Sequence, residues 1–174
     1  IDFEGLKNEI GVFADAEDVI ILPEVLKTLP DAELRSGFAE VVKMAILTDA
    51  EIYDSLLQPD ALHDSVTLAR AMIHAADAKR RIVNKDPHER GLRKILNFGH
   101  TAGHAYESYA ARIGKPISHG EAVAHGMLHA LRLSRDQLDF PADRVEEYRE
   151  KILNRYYNPL PFGPEALPEL EELM

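Results

Sequence analysis

The 174-residue sequence has no cysteine and no tryptophan. Without cysteine there is no disulfide framework, no thiolate zinc site and no cysteine nucleophile, and the composition suits a reducing compartment. Long apolar runs are missing as well, since none approaches the ~20 residues that a helix needs to cross a bilayer. The opening Ile1-Asp2-Phe3-Glu4 has neither the basic region nor the apolar stretch of a secretory signal, so a cytoplasmic location is expected. It also lacks an initiator methionine, and the sequence reads as processed, trimmed or cut from a longer chain. Basic charge is scarce: 20 Lys and Arg stand against 30 Asp and Glu, a net charge of −10. A nucleic-acid binder carries a basic stripe, so neither nucleic acid nor a membrane is an expected partner. A small anionic substrate stays possible, because a few cations converging in one cleft dominate the local field.

What is present points elsewhere. Hydrophobic residues make up 45% of the chain, enough to bury a core without staples. Histidine is plentiful at eight, and five of them (His100, His104, His119, His125 and His129) fall within thirty residues.

The order of local signals predicts a mainly helical chain. Asp18-Val19-Ile20-Ile21-Leu22 reads as a short buried strand, followed by a brief helix from Pro23 to Leu26. Asp31 is the expected N-cap of a helix reaching about Leu47, and further helices are expected over 50–57, 61–83, 99–111 and 119–138. Another begins at 141–143, and a last one follows the proline-rich 159–164 stretch. The strand has no sheet in this sequence. It must add to something outside it, or not be a strand at all.

Three groups of residues can carry chemistry. On the 31–47 helix, Leu34, Phe38, Val42 and Ala45 form one apolar face, while Glu40 lies on another between Gly37, Met44 and Leu47. A carboxylate placed there is partly buried and needs a cation or donor, which Lys43 can supply. The pair is then either an intrahelical ion pair or a metal carboxylate with a lysine beside the substrate. His100 and His104 stand at i, i+4 on one helix face, continued by Glu107, and their rings can converge on zinc. Glycines at 99 and 103 let a backbone or a ligand come close. His119 opens the next helix and shares its face with Val123, Gly126, Ala130 and Leu133, so it is aimed into the core, as a hydrogen-bonded core histidine or as a ligand. His125 and His129 read as solvated or interface residues. Lys7-Asn8, Lys79 and Arg93 add cations and a polar group, each of which could equally be plain surface.

These residues, in this order, resemble a known family. Gly37-Phe38-Ala39-Glu40-Val41-Val42-Lys43, Gly91-Leu92-Arg93 leading into Asn97-Phe98-Gly99-His100-Thr101-Ala102-Gly103-His104, and His119-Gly120-Glu121-Ala122-Val123 are similar to the 3-dehydroquinate synthases of the shikimate pathway. Lys7-Asn8-Glu9-Ile10-Gly11 resembles the turn before that family's last nucleotide-domain strand, and the likeness runs from about residue 2 to residue 173.

The resemblance implies a mainly α fold, the multi-helix C-terminal domain of the dehydroquinate synthase-like fold, with one leftover strand of a nucleotide-binding domain at its N-terminus. Residues 1–28 would be the tail of that α/β domain and 29–174 the helical metal- and substrate-binding domain. It implies zinc, with cobalt as the alternative metal, on Glu40, His100 and His119. It implies that Lys43, Lys79, Arg93, Asn97 and His104 serve catalysis, and that Lys7, Asn8 and Glu89 line the pocket for 3-deoxy-arabino-heptulosonate 7-phosphate. His104 then becomes a proton-handling or phosphate-binding neighbour rather than the partner of His100 on the metal. The implied reaction oxidises a ring carbon at the expense of NAD, eliminates phosphate, returns the hydride and closes the ring to 3-dehydroquinate. NAD would be held mainly by a preceding domain, so this polypeptide alone is expected to be inactive, and the intact enzyme is expected to be a homodimer. A sibling sugar-phosphate cyclase, a metal-dependent polyol dehydrogenase and a non-catalytic zinc module are the competing readings.

Overall fold

The computed structural model describes residues 17–174. Lys7, Asn8 and the turn around them lie outside the described residues. After two turns of tight helix at Pro23–Thr28, eight α-helical segments follow: α1 (Asp31–Thr48), α2 (Ala50–Leu56), α3 (Ser65–Lys85), α4 (His100–Arg112), α5 (His119–Leu138), α6 (Ala142–Tyr148), α7 (Asn154–Tyr156) and α8 (Leu167–Leu173). A further tight turn, Leu92–Asn97, leads into α4, and one wide helical turn, Arg149–Leu153, joins α6 to α7.

The helix starts follow local capping chemistry. Asp49 accepts hydrogen bonds from the backbone N–H groups of Glu51 and Ile52 and so starts α2. The N-terminus of α5 is held twice: Ser118 Oγ accepts from Glu121 N at 3.2 Å, and Ser36 Oγ, on α1, accepts from Gly120 N at 3.1 Å. Two expectations shift here. Asp31 does not cap α1; Pro30 precedes the helix with its carbonyl accepting from Glu33 and Leu34, and the Asp31 carboxylate pairs with Arg35 instead. α3 begins at Ser65 rather than 61, because the backbone closes a turn onto the Asp60 carbonyl and Asp64 then caps through Thr67 N.

The expected strand at Asp18–Leu22 is not one. These residues form no ladder, and Val19 and Ile20 are 76% and 80% exposed. The β-branched composition favours extended backbone, but a strand needs a neighbour for its N–H and C=O groups, and the described residues offer none.

The main core fills the space between α1, α2, α5 and α6, where Phe38, Val42, Leu56, Leu62, Val123, Met127, Tyr148 and Ile152 are fully buried. Tyr148 satisfies its hydroxyl there by donating to the Ala124 carbonyl at 2.7 Å. A second cluster, Met44 with Ala78 and Ile82, seals α1 against α3, and a third, Tyr109 with Ala166 and Leu170, seals α4 against α8. Helix α1 is thus buried on two faces. Its Phe38–Val42–Ala45 face meets the core, and its Met44 face turns toward α3.

Two glycines set the spacing of the remaining helices. A Cβ on Gly126 would lie 2.0 Å from the Gly99 carbonyl oxygen, and one on Gly120 would lie 2.1 Å from the Ser36 carbonyl oxygen. Backbone meets backbone at both places, so α4 and α1 lie against α5 closer than any side chain would permit.

Candidate metal and substrate site

The Met44 face of α1 carries Glu40 one turn earlier, and the start of α4 and the start of α5 converge upon it. The Glu40 carboxylate is divided between two kinds of neighbour. Its Oε2 takes an ion pair from Lys43 Nζ at 2.7 Å, and Lys43 is buried. Its Oε1 is buried without a hydrogen-bond partner among the described residues. That oxygen faces His100 Nε2 at 3.4 Å and His119 Nε2 at 3.8 Å. Burial pushes the Glu40 pKa up, but the His100 ring and the Lys43 ammonium pull it down further, to about 2. The group is a carboxylate at neutral pH.

Both rings present the same nitrogen. His100 Nδ1 lies 3.2 Å from the Phe98 carbonyl, which can only accept, so Nδ1 carries a hydrogen and Nε2 is the ring nitrogen that could ligate a metal. His119 Nδ1 lies 3.1 Å from Glu107 Oε2. His104 approaches as well: one ring nitrogen from each of His100, His104 and His119 falls within 4.8 Å of the others, a grouping that could hold a metal ion. The residues fit such an ion. A tetrahedral site with bonds of about 2.0–2.1 Å puts neighbouring ligand atoms roughly 3.3–3.5 Å apart, close to the Glu40–histidine spacings here. The unpartnered Glu40 Oε1 is the negative ligand a divalent cation would take.

The structure therefore keeps two ligand sets in play, Glu40 with His100 and His119, or the three histidines, with His104 the more exposed ring. It corrects the placement of two others. His119 does not point into the core; its side chain is 39% exposed and stands at the mouth of the site, because the first residue of α5 lies beyond the packed stripe that begins at Val123. His125 is not a solvated residue; it is half-buried and its Nε2 meets the Asn158 carbonyl at 2.8 Å. His129 is exposed, as expected.

Beside this cluster opens a cavity of about 660 Å³, walled by α1, α3 and the Leu92–Asn97 turn. Lys43, Lys79, Glu89, Arg93 and Asn97 line it together with Glu40, His100 and His119. His104 lies off the cavity wall, against the other two rings. Asn97 donates to Glu89 Oε1 at 2.8 Å, and one Arg93 nitrogen donates to the Pro87 carbonyl at 2.9 Å. The loop that carries Glu89 and Arg93 is organised by Asp86. Its carboxylate accepts the backbone N–H groups of Arg90, Gly91 and Arg93 at 2.8–3.0 Å, bonds that hold its pKa below the usual carboxylate range. Glu89 itself takes the left-handed backbone conformation, φ 53°, uncommon for a residue with a Cβ.

Sequence reasoning missed Asp86 and Glu107 as parts of this site. Asp86 carried only a helix-stop signal, and its partners are backbone groups that no residue identity announces. Glu107 was visible as the continuation of the His100–His104 face, but its partner comes from another helix.

Comparison with known proteins shows the family to which the chain belongs. The family model for the 3-dehydroquinate synthase C-terminal domain matches residues 37–174, the stretch that holds every described residue of the cluster and cavity. A 3-dehydroquinate synthase of Parabacteroides distasonis is 38% identical over 175 aligned positions, covering 100% of this chain and 49% of that protein. One from Streptococcus gordonii is 43% identical over 143, covering 81% and 40%. A 2-epi-valiolone synthase of Actinosynnema mirum is 42% identical over 151, covering 83% and 39%. The chain spans about half the length, or less, of these relatives. On the match over 37–174 and on relatives of this similarity, the chain belongs to the 3-dehydroquinate synthase family, by its C-terminal domain.

Proposed function

We propose that this chain is the metal- and substrate-binding part of a 3-dehydroquinate synthase, acting on 3-deoxy-arabino-heptulosonate 7-phosphate in the cytoplasm. The observation that carries the reading is the buried, unpartnered Glu40 Oε1 between two imidazole nitrogens, at the edge of a cavity lined by Lys43, Lys79 and Arg93. Glu40, His100 and His119 would hold zinc, or cobalt, which when bound supplies Lewis-acid polarisation of a substrate hydroxyl and a template for the ring. NAD, when bound, would take up one hydride from the substrate and give it back to the ring later. In the division proposed here, residues 1–28 end a nucleotide-binding domain and 29–174 form the helical domain, so NAD is held mainly outside this domain. The exposed apolar Val19, Ile20 and Leu22 suit such a junction.

The chain's own groups have distinct tasks. Lys79 and Arg93 bring positive charge to the cavity wall where phosphate and carboxylate would sit, and Arg93 retains guanidinium N–H groups beyond the one bound to Pro87. Lys43 keeps Glu40 ionised and has further N–H groups for the substrate. Asn97, fixed by Glu89, presents an amide to the same space. His104, off the cavity wall and against the His100 and His119 rings, would handle a proton or bind phosphate. Lys7 and Asn8 are proposed as further substrate contacts, and a homodimer as the state of the intact enzyme.

The intact gene product, supplied with substrate, NAD and zinc, is expected to release inorganic phosphate, and a chelator is expected to stop it. No release under these conditions overturns the reading. The 42% identity to a 2-epi-valiolone synthase favours one second reading, a sibling cyclase for a sugar phosphate without the carboxylate. Turnover of the carboxylate-free substrate in preference to the acid would select it.

A further inference from the structure

Glu107 occupies a particular place in this arrangement. It lies on α4, one turn beyond His104, with its side chain 23% exposed, and its Oε2 meets His119 Nδ1 at 3.1 Å across the gap to α5. The other nitrogen of that ring, Nε2, faces Glu40 Oε1. One carboxylate, that of Glu107, thus holds one edge of the imidazole, while the other edge faces Glu40 without a hydrogen bond.

The grip has a chemical consequence. A neutral imidazole carries its hydrogen on one nitrogen and a lone pair on the other, and the hydrogen-bond partner decides which. An ionised carboxylate only accepts, so Glu107 fixes the hydrogen on Nδ1 and leaves the lone pair on Nε2, toward Glu40. Its negative charge also raises the donor strength of that lone pair. His100 reaches the same tautomer through a main-chain carbonyl, which no side-chain substitution removes. His119 depends on a side chain. It stands at the first position of α5, 39% exposed, with no preceding helical turn to restrict its ring.

We infer that Glu107 is a positioning residue for the metal centre: it selects the tautomer and ring orientation of His119 and thereby sets the affinity of the site for a divalent metal. The inference rests on the metal reading of Glu40, His100 and His119. Glu107 itself is not among the ligands, since it bonds the ring edge turned away from Glu40.

The test uses cobalt as a spectroscopic probe and zinc by competition, on the full 174-residue chain. Wild-type protein is expected to bind one cobalt with the absorption of a tetrahedral site, and Glu40→Ala is expected to lose it. Glu107→Ala is expected to bind 10- to 100-fold more weakly, the usual loss when such an outer partner is removed. Glu107→Gln keeps an acceptor for Nδ1–H and is expected to lie between the two. Nitrogen NMR of the metal-free proteins supplies a readout that general loosening would not move. His119 should carry its hydrogen on Nδ1 in wild type and in Glu107→Gln, and populate both tautomers in Glu107→Ala, with unchanged helical circular dichroism. Equal cobalt affinity in wild type and Glu107→Ala overturns this inference alone. A wild-type chain that takes up no cobalt overturns the metal reading and the inference with it.

Discussion

Lys43 and Glu40 are one turn apart on α1, yet they differ sharply in exposure: the lysine is buried, while the glutamate side chain is 40% exposed. A buried ammonium is tolerated only when paired, because its desolvation otherwise outweighs what packing returns. Lys43→Met fills similar volume without charge and leaves Glu40 facing two imidazoles with no cation. The solvent reaching Glu40 softens the loss, so an expected destabilisation of about 1–3 kcal/mol follows, read from urea unfolding of the metal-free chain. His125 makes a contrasting case. Burial, above all, lowers its pKa, against the opposing influence of the Asn158 carbonyl and Glu121. The unfolded chain then takes up a proton near pH ~6.5 that the folded chain still refuses. The stabilising contribution of this histidine is therefore present above that pH and is lost as pH falls toward its folded value. Urea midpoints of wild type and His125→Gln should diverge at pH 7.5 and converge at pH 5, while zinc affinity at pH 7.5 stays within a few-fold. In the same titration His119→Ala should abolish zinc binding.

At the scale of the element, α4 and α5 act as a pair because neither carries a Cβ where they cross. Gly126→Ala would press a methyl against the Gly99 carbonyl, and backbone cannot rotate aside as a side chain does. The expected cost is about 1–3 kcal/mol or more, with a drop in metal affinity as His100 moves off His119, checked by paired urea and cobalt titrations. These helices were legible in the sequence because their signals are local: a helix is expected over 119–138, and the structure has α5 at His119–Leu138. The glycines at 99 and 103 were legible as a close approach, and the neighbour proves to be the backbone of α5. The strand at Asp18–Leu22 was misread because composition reports only a preference for extension, whereas pairing depends on a neighbour the segment does not choose. The site divides along the same line. Glu40 and the histidine pair stood out through helical spacing and the family motifs, while Asp86 and Glu107 work through partners brought in by folding. His119 was aimed wrongly for a related reason: face analysis treats the first residue of a helix like any other, whereas the His119 side chain stays 39% exposed although Gly120 next to it packs on Ser36.

On the scale of the whole molecule, two of the cavity's walls differ in construction. One is built from the meeting of α1, α4 and α5, where Gly120 and Gly126 let main chain rest on main chain, and it carries Glu40, His100 and His119. The other, bearing Glu89 and Arg93, is organised by the Asp86 carboxylate together with two side-chain bonds, Asn97 to Glu89 and Arg93 to the Pro87 carbonyl. The glycine contacts thereby have a mechanical consequence: the cavity is expected to behave as a jaw whose helix side is fixed and whose loop side moves to fit what enters. Amides of residues 103–105 and 123–128 should exchange with deuterium only when the chain unfolds globally, whereas those of Arg90, Gly91 and Arg93 should exchange through local opening, many times faster. Asp86→Ala should speed only the second group. Matched rates in the two groups would mean that both sides of the jaw are equally stiff, and that ligands must be admitted by the helices themselves.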